Sequence, residues 1–127
     1  ISRQTWHLLP KIREVDAFLR ADPTRADRLL EAHPEASFQQ CNHGTPLAAS
    51  KKRAAGRAER EALVRGFAGE APTLARRTLP GADYRPDDLL DAFAALWTAD
   101  RVARGDAMCL PDPPVHDAGG LPMAIRV

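Results

Sequence analysis

Pro86-Asp87-Asp88-Leu89-Leu90-Asp91-Ala92 opens what reads as the longest apolar helix of the chain. Proline suits the first helical turn, where its missing N–H has no partner to lose. The pattern predicts a helix over 86–104, stopped by Gly105. Asp88 and Asp91 are three residues apart and so share a helical face. Acids at a helix start can simply complement the macrodipole. Here Ala92, Ala95 and Ala99 follow, which suggests an inward-looking face. That face would set two carboxylates against a sheet edge, where they could hold a divalent metal. Asp87 is expected to point outward.

Working back toward the N-terminus, residues 71–78 suggest a short helix, joined to the long one by a connector at 80–85. Ser50 is a candidate cap for a helix running to about Phe67. Ala55, Ala58, Ala62 and Leu63 make its apolar side, and Arg53, Arg57 and Arg60 a basic stripe. The stretch Cys41–Ser50 contains Gly44 and Pro46 and reads as a loop. Asp27-Arg28-Leu29-Leu30-Glu31-Ala32-His33 is apolar in the middle and stopped by Pro34. It suggests a strand of about five residues, with a helical turn at 34–40. Residues 2–20 read as a helix, with Leu8, Ile12, Val15 and Leu19 at helical spacing. Ser2 would cap it, and Pro10 would kink or split it. After Gly105 comes a coil with Pro111, Pro113 and Pro114, then an edge strand over 121–127.

The length of 127 residues allows one domain at most. Net charge is +1, which neither demands nor excludes nucleic acid. Only Lys11, Lys51 and Lys52 are lysines among 18 basic residues, and arginine suits phosphate recognition. Cys41 and Cys109 sit in no pairing motif, as in a cytosolic, cytoplasmic protein. Cys41-x-His43 is not a zinc spacing. No signal peptide or membrane-spanning run is visible. Gly-rich phosphate loops and Gly-x-Ser-x-Gly elbows are missing too. Trp6 and Trp97 are expected to anchor the core.

Glu31 falls near the end of the expected strand, and His33 lies on the same side. Strand ends are where open α/β sheets place their sites. Glu31 with Asp88 and Asp91 would form an oxygen-rich pocket suited to Mg²⁺ or Mn²⁺. Glu35, just after Pro34, is a further candidate ligand or a helix-start acid. His33 could shuttle a proton. Lys51 and Lys52 at a helix start could meet a phosphate, and Arg57 with its stripe could follow a nucleic-acid backbone. Gln4 could line the site.

These segments resemble the domain-of-unknown-function family 429, the predicted RNase H-like nucleases. The likeness runs, in order, through Ser2-Arg3-Gln4-Thr5 with Leu9–Asp16, Glu31–Phe38, Ser50-Lys51-Lys52 with Gly56-Arg57, and Asp87–Ala92 with Trp97-Thr98-Ala99. Asp88-x-x-Asp91-Ala92 is also similar to the final acidic motif of RuvC-type resolvases. The resemblance implies an α/β, RNase H-like fold and a metal-dependent nuclease acting on DNA or RNA. Such folds carry an essential Asp on a first strand, and none precedes Ile1. The chain therefore reads as the N-terminally truncated, helix-rich C-terminal portion of a domain, inactive in isolation. Missing strands or a partner chain would complete it. The alternative is a non-catalytic binding or assembly module. An exposed sheet edge would then pair with another chain, a second copy included.

Overall fold

The computed structural model describes residues 2–80 and 84–127, apart from the side chain of Gln4. Helix α1 (Arg3–Ala21) leads to a 3-10 turn at Pro23–Asp27, then to β1 (Glu31–Ala32) and α2 (Pro34–Cys41). There follow α3 (Ala54–Ala68), α4 (Ala71–Thr78), α5 (Pro86–Arg104), β2 (Cys109–His116) and β3 (Pro122–Arg126). The architecture is a helix-rich α/β one with a small mixed sheet. Its order is β1-β3-β2, with β1 parallel and β2 antiparallel to β3.

The core lies between α2, α3 and α5, where Phe38, Val64, Leu90 and Ala94 are buried together. Leu47, Leu63, Ala68 and Phe93 pack around them. Inside this core the hydroxyls of Ser37 and Thr98 bond each other at 2.7 Å, so neither polar group is left unpaired. Glu61 of α3 accepts from Arg76 of α4 at 2.9 Å and from Arg65 at 3.2 Å. The two arginines hold its carboxyl below the usual range, with the bond to Arg76 the largest cause.

Helices α1, α4, α5 and strand β3 lie where the sequence suggests, within a residue or so. Their signals are local: Ser2 accepts from the Thr5 N–H, and Gly105 ends α5 in the left-handed region at φ 78°. Helix α1 runs unbroken through Pro10.

Several expectations are corrected. The strand expected within 27–33 shrinks to Glu31–Ala32. The Asp22 side chain bonds the Thr24 N–H and turns the chain into the 3-10 segment instead. The Pro-rich coil is an eight-residue edge strand, giving three strands rather than two among the described residues. Its pairing is irregular between Leu110 and Val115, the interval that holds the prolines. Proline has no N–H for a ladder, and only an edge strand tolerates that. Ser50 does not cap α3; Arg53 is the N-cap, after a turn closed by the Arg53 N–H on the Ser50 carbonyl. The buried side of α3 is Gly56, Arg60 and Val64, while Ala55, Ala58 and Ala62 are exposed. Ala92, Ala95 and Ala99 of α5 are exposed as well. Trp6 is no core anchor, at 65% exposed. Trp97 is half-buried, with its ring centroid 6.5 Å from that of Phe67.

Candidate functional site: a lysine–aspartate pair at the start of α5

Asp88 and Asp91 share a helix but have different surroundings. Asp88 is exposed, and its Oδ2 accepts from the Arg85 N–H at 2.9 Å. That contact caps the helix. Asp91, one turn on, is half-buried, and its Oδ2 accepts from Lys51 Nζ at 2.6 Å. Its other oxygen, Oδ1, is buried with no protein partner. A buried carboxylate oxygen without a donor is costly unless a cation or water meets it. The expectation that Asp88 and Asp91 look inward together is therefore corrected: only Asp91 does.

Lys51 stands in the turn before α3, and its ammonium is held above its ordinary value. The bond to Asp91 is the largest cause, partial burial opposes it, and the charges of Asp91, Glu35 and Asp87 add to it. Asp87 is half-buried rather than turned outward. The start of α5 and the turn before α3 thus bring Asp91 and Lys51 together, with the charges of Glu35 and Asp87 also felt at the ammonium.

Glu35 sits in the first turn of α2, where a carboxylate favours the helix dipole. Both its oxygens face Arg60, at 3.2 Å from Nε and 2.5 Å from Nη2. Arg60 is 3% exposed, with its guanidinium 5.7 Å from the centre of the Phe38 ring. The basic stripe is thus split. Arg60 is interior, Arg53 is exposed, and Arg57 is half-buried with Nη1 on the Lys52 carbonyl at 3.0 Å.

The other candidates lie apart from this pair. Glu31 is exposed on the rim of a groove of about 670 Å³ under α1, lined by Leu8, Ile12, Val15, Leu30 and Leu121. His33 is exposed at the start of α2, and its side chain caps nothing. Lys52 is exposed. The expected role of Gln4 falls on a side chain outside the described ones. Among the described residues no group of three or more His, Cys, Asp or Glu could hold a metal ion. Glu31, Asp88 and Asp91 are therefore not assembled as a trio. Cys41 and Cys109 are free thiols, with burial pushing the Cys41 thiol up.

The family model for "Protein of unknown function (DUF429)" matches residues 1–116. The chain belongs to this family. No curated protein and no solved structure matches it. The match runs through α1, β1 and all the helices that build the Lys51–Asp91 pair.

Asp91, Glu35 and Lys51 are legible in the sequence as site candidates, whereas Arg60 reads there as one of a basic stripe and Asp87 as an outward acid. The hint to Arg60 is Gly56 four residues before it, the one glycine inside the buried face of α3.

Proposed function

We propose that this DUF429 chain carries the lysine–carboxylate side of an RNase H-like, metal-dependent nuclease site that hydrolyses DNA or RNA phosphodiesters. The observation that carries the reading is Asp91: half-buried, with one oxygen on Lys51 and the other buried without a partner. Mg²⁺ is commonly held by one or two carboxylates, several waters and substrate phosphate oxygens. Asp91 offers one such carboxylate, whereas a closed all-protein cage is missing among the described residues. Such an ion, when bound, lowers the pKa of water and stabilises the leaving oxygen.

The chain's own residues have separate tasks. Asp91 offers a second carboxylate oxygen, Oδ1, that no protein donor occupies. Lys51 is fully protonated near neutral pH, and its ammonium is a point charge suited to a non-bridging phosphate oxygen. Arg60 neutralises Glu35 and so lessens the repulsion that this acid would offer a polyanion. Asp88 caps α5 and so holds the helical turn from which Asp91 projects.

The test is cleavage of a panel of single- and double-stranded DNA and RNA by the purified protein with Mg²⁺ or Mn²⁺. Asp91→Asn should abolish cleavage. Undiminished cleavage by that variant, or no metal-dependent cleavage of any substrate, would sink the proposal.

A second reading, a binding or assembly module, is favoured by one observation. Leu8, Ile12, Val15 and Phe18 of α1 are all about half exposed or more, an apolar stripe that suits a partner surface.

A further inference from the structure

We infer that Arg60 is a positioning residue that locks the turn at 49–53 so that Lys51 faces Asp91. The inference deepens the nuclease reading and rests on it for its catalytic consequence. Its structural part stands on the contacts of Arg60 and its α3 neighbours with the turn. A buried guanidinium must satisfy its donors, and Arg60 spreads them over three segments. Nε and Nη2 go to Glu35 on α2. Nη1 bonds the Ala49 carbonyl at 3.0 Å and the Gly56 carbonyl at 2.7 Å. One side chain thus ties α2, α3 and the turn together.

Three neighbours on α3 act on the same turn. A Cβ on Gly56 would lie 2.2 Å from the Ser50 carbonyl oxygen and 2.6 Å from that of Ala49. Only glycine permits that approach. The Ala49 N–H bonds Glu59 Oε2 at 3.2 Å, and Arg57 bonds the Lys52 carbonyl. The segment 56–60 therefore grips the turn by its backbone at Ala49, Ser50 and Lys52. Lys51 stands in the middle of the gripped stretch, and its side chain reaches across to α5. A lysine has four flexible carbons; fixing its backbone lowers the entropy lost in holding its ammonium at one place. Burying a guanidinium against a carboxylate that is itself 39% exposed is a poor source of stability compared with apolar packing. The Arg60–Glu35 pair is better explained by the geometry it imposes.

The test compares the wild-type protein with Arg60→Lys, which keeps the charge but loses the fork, and with Gly56→Ala, which pushes the turn away. Both should lose the NMR contact between the Lys51 and Asp91 side chains. The amides of Ala49 and Arg53 should exchange about tenfold faster or more, while those of Ala94 and Thr98 in α5 stay protected. In cleavage assays kcat should fall by about tenfold or more with KM nearly unchanged, as expected when a group is misplaced. A folded variant with the Lys51–Asp91 contact and turn protection intact overturns the inference. So does loss of protection that is uniform across the helices, the mark of a merely structural residue. Should neither variant fold, the wild-type Arg60 Nη protons decide. Resolved, slowly exchanging signals support the clamp, and a single averaged signal overturns it. If the wild-type protein cleaves no nucleic acid, the nuclease reading fails, while contact and exchange still decide the role of Arg60.

Discussion

Asp117 shows how much one carboxylate can hold. Its Oδ1 accepts from the Gly119 and Leu121 N–H groups at 2.8 and 2.9 Å, shaping the β2–β3 turn. Its Oδ2 meets Arg20 of α1 at 2.5 Å, and Arg20 also grips Asp16. The bond to Arg20, then the turn N–H groups, hold the Asp117 carboxyl below its ordinary value of 3.8. A carboxyl lowered by folding contributes stability above its unfolded value and loses it as pH falls through the folded one. The wild-type unfolding midpoint in urea should therefore drop more steeply below about pH 4 than that of Asp117→Asn. Equal slopes would show that the turn does not need the charge. Gly119 is coupled to this site, because a Cβ there would lie 1.7 Å from an Arg20 nitrogen. The same scale separates Asp88 from Asp91. Spacing puts both on one face, but it cannot say which acid is taken by the backbone and which by a lysine 40 residues away. Arg60 stayed hidden for the same reason. Its partners come from α2 and from a turn, and pairings across segments leave no mark in a local pattern.

At the scale of elements, α5 was the easiest to foresee and β2 the hardest. Pro86 and Gly105 mark the two ends of α5 by their own backbone preferences. Strand β2 carries prolines, which argue against a strand unless it is an edge with interrupted pairing. That exception depends on the finished sheet. Two substitutions test α5 directly. Asp88→Ala removes the acceptor for the Arg85 N–H and should cost about 1 kcal/mol of stability, the usual worth of a helix N-terminal cap. Asp88→Asn, which can still accept that bond, should retain most of that stability. Leu90 is 2% exposed, in the centre of the α2–α3–α5 core. Leu90→Ala should cost about 2–5 kcal/mol, from lost burial plus the cavity left behind. Urea titration followed by circular dichroism measures each. A Leu90→Ala cost below that of the cap variant would contradict this placement of the core.

Over the whole molecule, apolar burial is concentrated on one side. The α2–α3–α5 core has Phe38, Val64, Leu90 and Ala94 nearly out of contact with water. Among the described residues, helix α1 buries no such cluster. It is joined by the 3-10 turn at its end and by the Arg20–Asp117 bond, and its Trp6, Leu8, Ile12, Val15 and Phe18 are exposed. Regions with little buried apolar surface open at lower free energy than the core. The two tryptophans fall on opposite sides of this division. Trp6 is on α1 and 65% exposed; Trp97 is on α5, beside Phe67 and with the Arg101 guanidinium 4.8 Å above its ring. Trp97→Phe leaves Trp6 as the reporter, and Trp6→Phe leaves Trp97. The Trp6 signal should be red-shifted, readily quenched by acrylamide, and lost at a lower urea concentration than the Trp97 signal. Trp97 should instead follow the loss of helix seen by circular dichroism. Coincident midpoints for both reporters would mean that α1 unfolds with the core as one cooperative unit, so that its apolar face contributes stability out of proportion to the area it buries.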